Sequence, residues 1–489
     1  MTLSKKIVQL IVVALIFSPV IFIDQKHSHD WGDDFAQYIH QAINITNGTP
    51  QSETGYIFNP ENFIGPPAYP IGFPLMLSPV YALFGNDIHA FGTFISVMLV
   101  AMSVVFFFFY RNRLSFLVSL LLTMIIVFNP WTMKFKGEVM SDIPFTFFMF
   151  LAILGYRRSK ESYWYLILCG IISGFTIHVR SIGWVLPLSF VFDYLITTVI
   201  PGFRNEEKIG VKDHLIFLGR YGLPLSFAFL ALKSFFPLPG GYTRLADWEN
   251  FGTVFLRHLS YNVSSIHYFF SYYDVGDWNF LSFITACSFL VLGVIGFIKK
   301  IVEQFDYLDF LFSIYLFIIV IFPYGDAGIR YLLPLIPFFM IYTVSAFKSF
   351  GMKINKKIAG ICLAILVFAE YRYTFFAVVN CNCESPGPFE KESVEAFQYI
   401  KSNTPASARF LFFKPRSLAL YGERSSYVNC PNDGVEAMNK KLRDNHINYI
   451  LVHNELSDDS LKALVGKKPA AFIEEWENSK FSLYKVVNE

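Results

Sequence analysis

The six cysteines include no CxxC pair and no metal-ligand spacing, which removes zinc ribbons and thioredoxin-like redox centres from consideration. Basic patches with interleaved aromatics are also absent, and the formal net charge is only +2. Nucleic acid is therefore excluded as a partner. No half of the chain repeats the other. Charge itself is scarce, with Asp, Glu, Lys and Arg making up 16% of 489 residues, while 54% are hydrophobic and 18% aromatic. A chain of this length and apolarity is a polytopic membrane protein. Cys169, Cys287 and Cys362 lie in apolar segments and read as packing residues. Cys381, Cys383 and Cys430 fall in the C-terminal part, where the topology would allow one disulfide to Cys430.

Lys5 and Lys6 precede an apolar run over 7–23 that lacks a small-residue cleavage site, so it reads as a retained anchor. Further apolar runs follow at 88–109, 114–128, 143–156, 163–177, 182–200, 215–236, 280–298, 308–322, 331–347 and 358–376. Together they predict about eleven transmembrane helices. Basic clusters mark alternate loops: Arg111 and Arg113; Arg157, Arg158 and Lys160; Arg204 and Lys208; Lys299 and Lys300; Lys353, Lys356 and Lys357. All come out cytoplasmic if the N-terminus is inside. The loops 24–87, 129–142, 237–279 and 324–330, and everything after about residue 380, then lie on the opposite face.

Past the Pro/Gly turn at 385–388 the character changes. Charge rises, β-like runs occur at 409–413, 449–452 and 482–487, and amphipathic helical patterns at 391–403 and 434–445. The reading is a transmembrane domain, 1–380, and a small extracytoplasmic α/β domain, 381–489.

The loop 24–87 is too long for a simple connection. It opens with Asp30, Asp33 and Asp34 where the chain leaves the first span, and carboxylates beside hydrocarbon need a partner, a cation or a reaction. A solvated turn is the alternative. Glu138 and Asp142 on the next loop would share a face if that loop is helical; equally, Ser141 and Asp142 suit a helix cap. Arg330, at the mouth of a span, is the first candidate for an anionic ligand, with interfacial snorkelling as its other explanation. Arg180, beside His178 between two apolar segments, needs an anionic partner. Lys134, Lys136, Arg244, Arg257 and His258 are basic residues on the outer loops and weaker candidates. His27, His29 and Asp30 match no zinc spacing, so neither a metal nor a cofactor is expected.

Four stretches together resemble the GT-C superfamily of membrane glycosyltransferases, the branch with protein O-mannosyltransferases and the aminoarabinose transferase of lipid A. They are GDDFAQYIHQA with PPAYPIGFPL, KGEVMSDIPFTFF, GFTIHVRSIGWVLPL and GIRYLLPLIPF. The tail FFKPRSLALYGERSS resembles the soluble appendage of bacterial members. The resemblance implies a polyprenyl-phosphate sugar donor and an acceptor outside the cytoplasm, whether glycolipid such as lipid A, glycan or protein. It also implies inversion at the anomeric carbon, with an acid of the first loop as base. Asp33 aligns with that acid and Asp34 is the second candidate; Asp142 and Glu138 would orient the acceptor or support the base. Arg330, Arg180, His178, Lys136, Tyr331 and Tyr69 would bind substrate. Here the second-loop acid is Asp in SDIP, where other members place Glu nearby. An appendage of this kind implies a bacterial inner membrane. A secondary transporter is the competing class, but it would show repeated halves. A catalytically inert scaffold is a third reading.

Overall fold

The computed structural model describes residues 3–23, 27–62, 64–199, 211–237, 250–270, 280–322, 328–349, 361, 364, 365, 368, 371, 387–430, 433–467 and 471–487. The chain divides into two compact units. One comprises Met1–Gln25, Gly92–Phe235 and Arg244–Asn382, the other Lys26–Phe91, Phe236–Thr243 and Cys383–Glu489. The long first loop thus folds with the C-terminal segment, not with the spans on either side of it.

Ten of the apolar runs are helical, among them Leu3–Phe17, Ile88–Arg111, Asp142–Arg158, Tyr163–Val179, Phe280–Gln304 and Tyr307–Ile321. Most of the eleventh, 358–376, lies outside the described residues, as do Cys362, Cys381, Cys383 and Arg244. Among the described residues four segments are long and apolar enough to cross a membrane alone: Ser4–Ile21, Ile88–Arg111, His214–Phe235 and Phe283–Glu303. The bent pair Phe116–Val127 and Pro130–Lys136 makes a fifth if it is one span. The other apolar helices have 10–17 residues, and a 15-residue helix reaches only about 23 Å against a hydrocarbon core of about 30 Å. The protein is multi-pass, and among the described residues helix length alone accounts for four or five of the spans.

A helix at Phe251–Phe270 occupies the segment 237–279, read from sequence as loop. Its buried positions include Val254, His258, Asn262 and Ser265, spaced as a helix requires. The polar members of that stripe depress hydropathy and hide the element from a search for apolar runs. Between Tyr163–Val179 and the helix ending at Phe235, the backbones approach closely at Gly170 and Gly174. A Cβ there would stand 2.5 Å from the Tyr221 carbonyl oxygen and 2.7 Å from that of Leu225. This is the small-residue spacing that lets membrane helices touch.

The second unit is built on a six-stranded sheet of β1 (Tyr56–Ile57), β2 (Arg409–Leu411), β3 (Ser425–Tyr427), β4 (Tyr449–His453), β5 (Phe472–Glu477) and β6 (Phe481–Val486). The order is β1-β3-β2-β4-β6-β5. The first four are parallel neighbours, and β6 and β5 continue antiparallel. All five residues of β4 are buried, as a central strand covered on both faces requires. Alternation sends Phe410, Tyr449, Leu451, Phe481 and Leu483 to one core with Phe397 and Ile400. Leu411, Ile450 and Val452 go to another with Met438, Leu442, Leu461 and Leu464. The result is three layers, with the helices Lys391–Asn403 and Val435–Asp444 supplying opposite faces. The strand β1 belongs to the first loop, so the α/β unit is completed by chain more than 350 residues upstream, in the register Tyr56 to Ser426. Cys430 is a free thiol.

Candidate active site

The acidic stretch forms the start of the helix Asp33–Asn47, which follows the extended Gly32 and ends at Gly48 in the left-handed conformation, φ 71°. Carboxylates in a first turn suit the helix dipole, and Gly at this terminus avoids the Cβ penalty of positive φ. Phe35, Ala36, Ile39 and Ala42 are buried along one face. Trp31, just before the helix, is buried edge-on among Phe397, Phe412, Phe481 and His453.

Asp33 and Asp34 are adjacent but do different things. Asp33, 9% exposed, accepts from the Arg416 backbone N–H at 3.2 Å, the Ser417 N–H at 3.0 Å and the Ser417 hydroxyl at 3.0 Å. It thereby satisfies the N-terminal donors of the helix Pro415–Tyr421, whose own cap Lys414 makes no side-chain cap bond, a vacancy that helix ends do not tolerate when buried. Burial pushes its carboxyl above the usual range, while Arg416, Lys414 and the two N–H donors pull the other way. A raised pKa suits a general base, but geometry ranks first, and both oxygens of Asp33 already accept hydrogen bonds from this helix.

The Asp34 side chain is 25% exposed. It accepts from the Tyr69 hydroxyl at 2.5 Å and from Arg416 Nη1 at 3.2 Å. Arg416 is fully buried: Nη1 also donates to the Tyr69 oxygen at 3.0 Å and Nη2 to the Pro66 carbonyl at 3.0 Å. The rings of Tyr56 and Tyr69 lie 4.8 and 5.1 Å from its guanidinium carbon, within cation–π range. Gly65 at φ 139° makes room for it, since a Cβ there would lie 2.5 Å from Nη2. The proline-rich segment that carries Tyr69 is held by two glutamines one turn apart. Gln37 donates to the Pro67 carbonyl at 2.6 Å, and Gln41 bonds both the carbonyl (2.9 Å) and the N–H (3.0 Å) of Tyr69.

Sequence reasoning gave no role to Gln37, Gln41, Arg416 or Ser417. The glutamines sit at i and i+4 on a helix, a spacing that marks one face but names no partner. Arg416 lies in a quoted motif, yet nothing local distinguishes it from a surface arginine.

The other unit holds a second grouping. Asp142 opens the helix Asp142–Arg158 and is 2% exposed. Its Oδ1 contacts Arg180 Nη1 and its Oδ2 accepts from Arg330 Nε at 2.7 Å. The two arginine side chains are 17% and 18% exposed, and Tyr331 places its ring 5.0 Å from the Arg180 guanidinium carbon. Three candidates from three separate motifs therefore converge, with Tyr331 alongside. His178 is engaged elsewhere, by the Phe229 carbonyl at 2.9 Å and by the Phe229 ring. Lys136 is buried at the end of the short helix Pro130–Lys136. Residues 137–141 are not helical, so the shared helical face expected of Glu138 and Asp142 does not form. Ser141 holds the cap position without a side-chain cap bond.

His29 stacks on Phe35 at 3.9 Å and contacts Asp30, whereas His27 stacks on His89 at 4.5 Å. Among the described residues one grouping has metal-like proximity, Glu61, Cys430 and Asp433. The Lys441 ammonium sits in it, 2.6 Å from Glu61, 2.8 Å from Asp433 and 3.3 Å from the thiol, so a cation is already supplied.

His40, on the same helix as Asp34, has its pKa lowered from 6.5 to about 4 by burial, partly offset by Glu423. Between pH about 4 and 6.5 the unfolded chain binds a proton that the folded state refuses, so stability falls as pH drops through that window. The slope of melting temperature against pH is expected to flatten in His40→Gln. Identical slopes in the variant and wild type would remove His40 as the cause.

Residues 86–218 match the family model described as dolichyl-phosphate-mannose-protein mannosyltransferase. No curated protein sequence matches the chain significantly. Solved structures do. The structure of ArnT from Cupriavidus metallidurans bound to undecaprenyl phosphate aligns with TM-score 0.56 and 12% identity over 99% of each chain. The archaeal oligosaccharyltransferase AglB from Archaeoglobus fulgidus, in complex with an inhibitory peptide and a dolichol-phosphate, aligns with TM-score 0.54 and 11% identity over 92% of this chain and 69% of that one. The arabinofuranosyltransferase AftD from Mycobacteria aligns with TM-score 0.53 and 10% identity, over 100% of this chain and 42% of that one. At these identities the structures speak for the fold. The sequence match covers 86–218, a segment that contains Asp142 and Arg180. The chain is thus similar to GT-C membrane glycosyltransferases, in sequence over 86–218 and in fold over its length. The matched segment is similar to the protein mannosyltransferases, and the whole chain aligns over 99% of ArnT.

Proposed function

We propose that the protein transfers one sugar from a polyprenyl-phosphate donor to a hydroxyl acceptor outside the cytoplasm, with Asp34 as general base and Arg180 and Arg330 holding the donor phosphate. The observation that carries this reading is the pair of guanidiniums drawn to one buried carboxylate, Asp142. Arginines gathered in this way suit a phosphate, whose oxygens take their planar donors in pairs. The acceptor oxygen forms a bond to the anomeric carbon as the bond from that carbon to the phosphate oxygen breaks. The electron pair leaves with the phosphate, the acceptor proton goes to Asp34, and the configuration inverts. Because the arginines stabilise the departing charge, no general acid is required.

The bound undecaprenyl phosphate in the ArnT structure and dolichol-phosphate in the AglB structure support a lipid-linked donor. A bacterial inner membrane fits the basic clusters on alternate loops, with the first loop and the C-terminal segment facing out. The acceptor classes that fit are a lipid A-like glycolipid, an envelope glycan or a protein hydroxyl.

The test uses the full chain in nanodiscs with radiolabelled polyprenyl-phosphate sugars, mannose and aminoarabinose among them, and membrane extract as acceptor source. Wild type is expected to consume one donor. Arg180→Ala and Arg330→Ala are each expected to raise its KM by about tenfold or more, the value of a charge-assisted contact. Failure to consume or bind any donor would overturn the reading and return the transporter alternative.

A further inference from the structure

We infer that Arg416, supplied by the C-terminal segment, is a positioning residue for the transfer reaction, acting through Asp34 and Tyr69. The C-terminal segment is then part of the catalytic machinery instead of an appendage. This rests on the reading of Asp34 as the base.

Four observations converge. Arg416 is among the largest fully buried side chains of the protein, a costly place for a guanidinium unless its neighbours repay it. Those neighbours all come from the first loop: the Asp34 carboxylate, the Tyr69 hydroxyl, the Pro66 carbonyl, and the faces of Tyr56 and Tyr69. One nitrogen, Nη1, touches both Asp34 and Tyr69, and the Tyr69 hydroxyl in turn donates to Asp34. The three form a closed triangle, which fixes the Asp34 carboxyl in one rotamer. Finally, the backbone that carries Arg416 is itself tied to the neighbouring acid, since Asp33 accepts from the N–H groups of Arg416 and Ser417. Asp33 sets where the arginine stands, and the arginine sets how Asp34 points.

A stability device would need only one such tie. Here the buried charge is aimed at the more exposed of the two acids, while Asp33 alone would hold the helix. The shape of the first loop is adapted to the same end, since Gly65 leaves the space that the guanidinium fills.

The test compares Arg416→Met, Arg416→Lys, Tyr69→Phe and Asp34→Asn in full-length protein in nanodiscs, using the polyprenyl-phosphate sugar that wild type consumes. Arg416→Met is expected to lower kcat about a hundredfold, the scale of a small misplacement of a reacting group. Donor KM should stay within about threefold, because the arginine does not bind donor. Arg416→Lys and added guanidinium should each restore part of the rate, which a purely structural defect would not allow. Tyr69→Phe keeps the ring packed on Tyr38, 4.6 Å away, and removes only the bridging oxygen, so it folds even if Arg416→Met does not. Its kcat should fall about tenfold, the cost of one lost hydrogen bond. Wild-type kcat in folded Arg416→Met or in Tyr69→Phe, with Asp34→Asn inactive, would overturn the inference and leave the base assignment standing. An active Asp34→Asn would instead overturn the base assignment, and the inference with it.

Discussion

Asp34→Asn is expected to reduce sugar transfer by a factor of about 10² to 10⁴, the range for losing a positioned general base, while donor binding persists. Asparagine keeps the shape and still accepts from Tyr69 and Arg416, the partners that hold Asp34 at 2.5 and 3.2 Å, so the fold is not the variable. What disappears is the ability to take a proton. The informative comparison is Asp33→Asn. Asp33 accepts three hydrogen bonds from Arg416 and Ser417, so its loss should appear first as a stability decrease of order 1–3 kcal/mol for weakened buried bonds to an ion, read as a lower melting temperature, with a smaller decrease in rate. Rate and melting temperature measured on both variants separate the roles. If Asp33→Asn is inert in catalysis at full stability and Asp34→Asn is fully active, the roles are exchanged.

Asp142→Ala should be strongly destabilising to the helical unit. Its carboxylate is the shared partner of Arg180 and Arg330, and removing one member of a buried ion cluster leaves charge uncompensated, at about 3–5 kcal/mol. The partial exposure of the two arginines places the result at the lower end of that range. Activity should fall with it, because the arginines then lose the geometry that suits a phosphate. Asp142→Glu provides the control: charge is kept, so stability should largely return, whereas the added methylene shifts both guanidiniums and leaves donor KM raised. Thermal unfolding in detergent and donor titration read the two effects. Normal stability and normal KM in Asp142→Ala would mean that Asp142 neither holds the arginines nor serves the donor.

Most of the apolar helices were legible because hydrocarbon imposes a one-dimensional rule: a long apolar run has few alternatives to a helix. The helix Phe251–Phe270 escaped that rule, since its buried stripe contains His258, Asn262 and Ser265. The strands β2, β4 and β6 fell in runs recognisable as β-like, whereas β1, with two residues, and β3, with three, are too short to carry a pattern. Residue type was enough to nominate Asp33 and Asp34 in one unit and Asp142, Arg180 and Arg330 in the other as candidates. It was not enough to rank the two adjacent acids, because they differ only in what packs against them.

By itself the sequence determined a membrane-embedded, helix-rich chain with a small α/β portion, and it singled out charges beside apolar runs as needing partners, because burial cost acts residue by residue wherever the chain meets lipid. Tertiary structure alone decided the rest. It joined the strand at Tyr56–Ile57 to a sheet whose other strands lie beyond residue 400, gathered Asp142, Arg180 and Arg330 from three distant motifs, and buried Arg416 beside Asp34. Those contacts connect residues up to about 380 positions apart, as between Arg416 and Asp34. No local pattern encodes them: such pairings are fixed by which buried charges and open strand edges can satisfy one another once the chain is compact.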